Sequence, residues 1–322
     1  MTTPQLDVDF PDLRDQDDYS KVLKLARDNV YSMERKYDGT ACIVDIFGDG
    51  RTPILWGRGV LKDGSQQDYT ANFPEITEFF DSIDLPRTRL LGELVVFNGE
   101  EIEKFKWIQP RLIRKYGIEE LAKEFPATFM VYDILIYDGL SLINDSYAVR
   151  RKLLQEVVGD LVRDREGRFR IIPSFTTSEN KEDLLLDLQD RRFEGVVIKD
   201  RTKSMVGYKY KPTITEDVIW FGEYNEGTGK NAGQVGSMVC YQYINGELVE
   251  IANVGGLTVS ARGHFTHMAK GGKVSRDNPI VLEVEAMSRG ERTKKGKIGK
   301  LRHPRYSRIR LDKSPEQCTR EE

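Results

Sequence analysis

At 322 residues the chain is long for one hydrophobic core, and its length favours two domains of unequal size. Charged residues make up 31% of it, and no apolar run approaches the roughly 20 residues that span a bilayer, which excludes a helical membrane protein. The acidic start MTTPQLDVDFPDLRDQDDY carries neither the basic nor the apolar segment of a secretion signal or transit peptide, and the three cysteines, Cys42, Cys240 and Cys318, are too scattered for a disulfide framework or a CxxC metal knuckle. A reducing, cytoplasmic setting is expected.

The net charge of −3 is unevenly spread. Residues 1–18 hold six Asp against one Arg, whereas residues 289–322 hold twelve Lys/Arg against five Asp/Glu. A basic C-terminal face suits a phosphate backbone, although such a run is as often a solvated surface.

In chain order, residues 41–60 alternate and are rich in β-formers, with FGDGRT as the turn of a hairpin, and Lys36 lies in a turn just before its first strand. PEITEFFDSI has helical spacing after a Pro start, and RLLGELVVF and TFMVYDILIYDG read as buried strands. Residues 101–126 form a peripheral segment with helical pieces around IRKYGIEELAKEF. YAVRRKLLQEVV and NKEDLLLDLQDRR are amphipathic helices, followed by short strands in GVVIKD and MVGYKYK. This is an α+β domain over residues 1–213.

Beyond Pro212 the pattern changes to DVIWFGEY, GSMVCYQYI, LVEIANVG, PIVLEVEAMS and YSRIRL, short β segments separated by Gly-rich turns. Five such strands in residues 214–322 suit a small closed barrel of the OB type. His264 and His267 form an HxxH pair with no helical HExxH context, and read as barrel-surface residues. Gly227, Gly229 and Gly233 resemble a phosphate loop but lack a following helix start, so they read as a turn.

The chemistry is concentrated in Glu34-Arg35-Lys36-Tyr37-Asp38-Gly39. A KxDG tetrapeptide alone says little. Its weight comes from an ordered set downstream: Arg58 in WGRG, Glu93 in LLGELVVF, Tyr132-Asp133 in MVYDIL, Glu194-Gly195 in FEGVVIKD, and Lys209 and Lys211 in YKYKP. With these segments the chain, from about residue 31 to 318, resembles the ATP-dependent DNA ligases, within the lysine nucleotidyltransferases that also include RNA ligases and capping enzymes. YDILIYDGLSLINDSYAVRRKLL, GEYNEGTGKNAGQVGS and LRHPRYSRIRLDKSPEQC narrow the likeness to DNA ligases, the last resembling both replicative ligases and the short ligases of podophages.

The resemblance implies an ATP-grasp-like nucleotidyltransferase domain followed by an OB-fold. It implies Lys36 as the nucleophile that takes AMP from ATP, with Glu34, Asp38, Glu93 and Tyr132 around the nucleotide, Tyr132 stacking on the base. Arg58 is expected to grip the 5′-phosphate of a nick. Arg308, Arg310, Asp312 and Lys313 resemble the final RxDK motif, with Arg310 and Lys313 oriented to pyrophosphate and Arg308 to nucleic acid. A lysine attacks phosphorus only as the neutral amine, so its pKa should be lowered by desolvation or by cations, for which Lys209 and Lys211 are the candidates. The same two lysines would neutralise the α-phosphate, and Mg²⁺ (or Mn²⁺) on Glu194, and secondarily Glu93, would share that task. The expected partners are ATP and nicked duplex DNA, the expected state a monomer, and the expected hinge Lys211-Pro212-Thr213. One departure stands out: where most DNA ligases place an arginine five residues after the nucleophile, this chain has Ala41. RNA ligases often lack it too, which makes an RNA ligase the alternative reading.

Overall fold

The computed structural model describes residues 13–98, 103–159, 161, 167–191, 193–290 and 298–321. The acidic stretch 1–12 and the basic run 291–297 lie outside the described residues. The chain divides into two units, Met1–Lys211 and Pro212–Glu322.

The first unit runs β1 (Arg14–Asp15), α1 (Tyr19–Arg27), β2 (Tyr31–Lys36), β3 (Thr40–Ile46), β4 (Ile54–Val60), β5 (Gln66–Asp68), α2 (Pro74–Asp81), β6 (Thr88–Val96), α3 (Phe105–Ile113), α4 (Ile118–Glu124), β7 (Ala127–Tyr137), β8 (Leu140–Ser141), α5 (Tyr147–Val158), β9 (Phe169–Ile171), β10 (Ser174–Phe175), α6 (Ser178–Asp190), β11 (Gly195–Asp200) and β12 (Gly207–Tyr210). Its strands form a five-stranded sheet ordered β1-β12-β11-β2-β10 and a seven-stranded sheet ordered β5-β4-β3-β6-β7-β8, with β9 beside β7. The β3–β4 hairpin, α2 and the strands β6 and β7 follow the alternation and helical spacing read from the sequence. The helix α1, capped by Asp18, and the strand β2 were not anticipated.

Each sheet buries one face on helices. Val22 and Ala26 of α1 and Leu184, Leu185 and Leu188 of α6 pack on Met33, Val196 and Ile198 of the five-stranded sheet. Phe73, Ile76, Phe79 and Phe80, at and within α2, pack with Leu154 and Val158 of α5 on Val44, Leu90, Leu94, Phe129 and Val131 of the seven-stranded sheet. A buried bidentate pair adds to the α5 contact: Arg150 Nε and Nη2 donate to Asp133 of β7 at 2.8 and 2.9 Å, and both side chains are at most 3% exposed.

Lys36 lies at the end of strand β2 and not in a turn. The three residues Tyr37-Asp38-Gly39 then carry the chain from the five-stranded sheet to β3 of the seven-stranded one. Gly39 is required there by a close approach. A Cβ on it would run into the Leu94 carbonyl oxygen and lie 2.7 Å from Val95 Cγ1 on β6.

The second unit contains β13 (Ile214–Glu226), β14 (Val235–Ile244), β15 (Glu247–Val254), α7 (Val259–Lys270), β16 (Ile280–Ala286), β17 (Arg305–Ile309) and β18 (Thr319–Arg320). One six-stranded sheet runs β15-β14-β13-β16-β17, with β18 beside β14. Its outer strands meet at a parallel bridge between Gly255 and Arg305: Gly255 N–H donates to the Pro304 carbonyl, and Tyr306 N–H to the Gly255 carbonyl, each at 3.0 Å. Trp220, Met238, Ile251, Leu282 and Val284 fill the interior with Phe265 of α7. The sequence reading had five strands and no helix here. His264 and His267 in fact ride on α7, both exposed, while Ala261, Phe265, Met268 and Ala269 recur at helical spacing behind a Thr258 N-cap. The Gly227–Gly233 segment is the β13–β14 connection, with a 3₁₀ turn at Gly229–Asn231.

Candidate active site

The register of the five-stranded sheet sets the first half of the site. β2 runs antiparallel to β11, with Lys36 opposite Gly195 and Glu34 opposite Val197, and β11 pairs Val197 with Lys209 on β12. Gly195 must lack a side chain because its Cβ would meet the Tyr210 carbonyl on β12. Glu194, just before β11, therefore comes up beside the end of β2, and Lys211, just after β12, comes up on its other side. Its two carboxylate oxygens are divided between them: Lys36 Nζ lies 2.6 Å from Oε2 and Lys211 Nζ lies 2.6 Å from Oε1.

β3 and β6 of the other sheet supply the second half. Ala41 of β3 stands opposite Glu93 of β6, so the half-buried Glu93 faces the same space as Lys36. Desolvation pushes the Glu93 carboxyl up to about 8, with Glu194 and Asp38 adding to the rise and Lys36 and Arg58 opposing it. Around Lys36 the balance runs against the sequence expectation. Desolvation pulls its ammonium down, but Glu194, Glu93 and Asp38 outweigh that and hold it above the ordinary lysine value. Lys209 and Lys211 do not lower it: Lys211 is engaged by Glu194, and Lys209 sits 3.5 Å from Asp15 of β1.

Glu34, expected near the base, is 2% exposed, with Oε2 2.8 Å from Lys199 Nζ and Oε1 accepting from the Tyr147 hydroxyl. The Lys199 ammonium lies 4.7 Å from the Tyr132 ring centroid and 4.4 Å from that of Tyr147. Tyr132 is half-buried, and burial pushes its phenol well above the usual value, helped by Glu93, Asp133 and Glu34. Asp38 accepts from Phe105 N–H at 3.2 Å. Arg58 is exposed on β4, one residue beyond Gly57, which pairs with Cys42, the residue after Ala41.

In the second unit the RxDK residues are held within their own sheet. Arg310 Nη1 and Lys313 Nζ reach Asp217 of β13 at 2.8 and 2.6 Å, Arg310 also pairs with Asp312, and Arg308 pairs with Glu283 of β16 at 2.8 Å. Asp217 and Glu283 were not singled out in the sequence, nor were Lys199 and Tyr147. Lys199 had a signal: in GVVIKD, strand alternation sends it to the side opposite the buried Val196 and Ile198. Tyr147 reaches Glu34 from a helix 113 residues away, and local pattern holds no trace of that contact.

The strand-borne lysine, its shared carboxylate and the two-unit chain define a ligase-type fold. The structure called "Pmar-Lig_PreS3" superposes with a TM-score of 0.67 at 19% identity, covering 91% of this chain and 66% of that one. A second, described as "DNA binding with a minimal scaffold: Structure-function analysis of Lig E DNA ligases", gives 0.59 at 18% identity over 94% of this chain and all of that one. Residues 14–215 match the ATP dependent DNA ligase domain, and the chain belongs to that family. The protein named DNA ligase from Thermococcus fumicolans is 29% identical over 311 residues, 89% of this chain and 53% of that protein. The chain thus spans about half the length of the curated relatives it matches.

Proposed function

We propose that this chain is an ATP-dependent DNA ligase that seals nicks in duplex DNA through an adenylate on Lys36. The observation that carries the reading is the Lys36 amine 2.6 Å from Glu194, flanked by Glu93 and Asp38 at the seam of two sheets. Nothing in a merely structural ion pair calls for a lysine paired with one carboxylate and under the influence of two more.

Three in-line displacements follow from that assignment. The Lys36 amine, having lost its proton, forms a bond to the α-phosphorus of ATP as the bond to pyrophosphate breaks. An oxygen of the nick's 5′-phosphate then attacks the lysyl-AMP phosphorus and frees the lysine. Last, the 3′-hydroxyl attacks the 5′-phosphorus, AMP leaves, and a phosphodiester is made. Tyr132 supplies a flat face for adenine, Glu34 lies near the base, Asp38 lies near the nucleotide beside Lys36, Lys209 and Lys211 face the phosphates, and Arg58 and Arg308 meet the DNA. Arg310 and Lys313 act on pyrophosphate once they exchange Asp217 for it. Glu194 and Glu93 would hold Mg²⁺, which retains most of its waters and needs only one or two carboxylates. That ion would add positive charge at the α-phosphate. We also read the second unit as an OB-fold, a reading supported by its bridged outer strands and the helix between β15 and β16.

The test is transfer of α-labelled AMP to the protein. Label should appear on the parent chain with ATP and be lost in Lys36→Ala; retention in that variant would sink the assignment. Offering nicked DNA and single-stranded RNA side by side decides between a DNA ligase and an RNA ligase.

A further inference from the structure

We propose that Glu103 is a positioning residue for the nucleophile, holding Lys36 and its carboxylate partner Glu194 in mutual register. This inference rests on the reading of Lys36 as the nucleophile. Lys36 ends a strand, and the three residues after it cross between sheets outside the strand pairing, so what sets their path is side-chain and loop contacts. Glu103 supplies it from the far side of the turn. Its backbone forms a bridge with Phe97, just beyond β6, and its side chain is buried. One carboxylate oxygen accepts the Asp38 N–H at 3.3 Å, and the other is ion-paired with Arg35 Nη2. Two residues on, Phe105 N–H takes the Asp38 carboxylate, so this segment grips Asp38 by its backbone and by its side chain.

Arg35 carries the constraint to the other partner. Its guanidinium lies 3.5 Å from the Phe193 ring centroid and 4.5 Å from that of Tyr37. Phe193 immediately precedes Glu194, and Tyr37 immediately follows Lys36. A single buried carboxylate thereby fixes Asp38 on one side of the Lys36–Glu194 pair and, through a stacked arginine, Phe193 on the other. Arg35 is half-buried and its partner carboxylate is buried, so separating the two would cost far more than breaking an exposed pair, and Arg35 stays committed to Glu103. Phosphoryl transfer is sensitive to displacements of about 1 Å in the attacking group, costing as much as ~100-fold in rate.

Single-turnover lysyl-AMP formation on the full chain, followed over a range of ATP concentrations up to saturation, tests this, comparing the parent with Glu103→Ala, Glu103→Gln and Arg35→Lys. Glu103→Ala should lower the rate constant by about 10- to 100-fold while the KM for ATP moves less than about twofold. Glu103→Gln keeps an acceptor for the Asp38 N–H and should fall between Glu103→Ala and the parent. Arg35→Lys, which keeps the charge and loses the stacked plane, should also fall between. A structural role alone would reduce the amplitude, through loss of folded protein, and leave the rate constant at the parental value; that result overturns the proposal. A second arm needs no ATP: trace labelling of amines with acetic anhydride, read by mass spectrometry. The Lys36 rate relative to the other lysines should change at least about threefold in Glu103→Ala, and an unchanged ratio overturns the proposal. If the parent takes up no AMP, the ligase reading falls while the labelling arm still decides whether Glu103 sets the surroundings of Lys36.

Discussion

Ala41 and Glu93 are direct cross-strand partners on β3 and β6, so the residue paired with the Glu93 carboxyl brings it a methyl group and no charge. The nearest cationic influences on Glu93 are Lys36 and Arg58, and they do not offset its desolvation. Ala41→Arg would place a guanidinium directly opposite. The Glu93 pKa should then drop from about 8 by ~1–3 units, followed by carboxyl ¹³C chemical shift against pH. A titration unchanged from the parent would mean that the new side chain points away from Glu93.

The raised Glu93 pKa also makes stability depend on pH. Unfolded, this carboxyl titrates near its ordinary 4.5; folded, near 8, so between those values the folded chain holds the extra proton. Its contribution is fully present below 4.5 and is lost as pH climbs through 8. Glu93→Gln cannot lose a proton there. The variant should gain on the parent by on the order of 3 kcal/mol between pH 5 and 8 in urea unfolding, with the difference level above about pH 9. A difference that stays flat across that range would contradict the assignment.

Gly39→Ala tests the close approach that seats the turn after Lys36. The added methyl would press on the Leu94 carbonyl, which is held by β6 pairing and cannot swing aside as a side-chain tip could. A stability loss of ~1–3 kcal/mol is expected by chemical denaturation, together with slower adenylate formation.

Arg150 and Asp133 form the buried pair that ties α5 to β7, and Arg150 also donates to the Asp145 carbonyl at 2.6 Å. Arg150→Ala would leave a desolvated carboxylate and should cost ~3–5 kcal/mol. The double variant Arg150→Met, Asp133→Leu removes both charges while keeping volume, and should recover at least half of that loss in the same urea assay. Equal losses in both would mean that the loss comes from removing the pair itself and not from the stranded carboxylate.

Much of this was legible in the chain, unevenly. The hairpin, the β6 and β7 strands and the α5 and α6 helices follow from alternation and helical spacing, which are local. Lys36, Glu93, Glu194 and Lys211 were readable because the resemblance names them in order, and the structure brings all four together. What local pattern did not carry is pairing across strands. Glu34 meets Lys199 and Tyr147, Arg35 meets Glu103, and Lys313 meets Asp217 only because register and helix placement bring distant segments side by side. The direction of the Lys36 shift has the same origin: Lys209 and Lys211, the cations expected to lower it, are taken up by Asp15 and Glu194, and the folded surroundings of Lys36 are carboxylates. The helix α7 was passed over although its apolar spacing was present, because Gly263 and two histidines obscured it between strands.

The outermost strands of the three sheets share a feature with a practical result. In the first unit they are β1, β10 and β8, two residues each, and β5 and β9, three residues each, while in the second unit the outer pair is joined at Gly255 and Arg305. An incoming strand from another molecule finds no more than two or three consecutive backbone groups to bond along the first unit's margins. Among its described residues, then, the first unit offers little template for edge-to-edge assembly. That property favours concentrated samples free of fibrous aggregates.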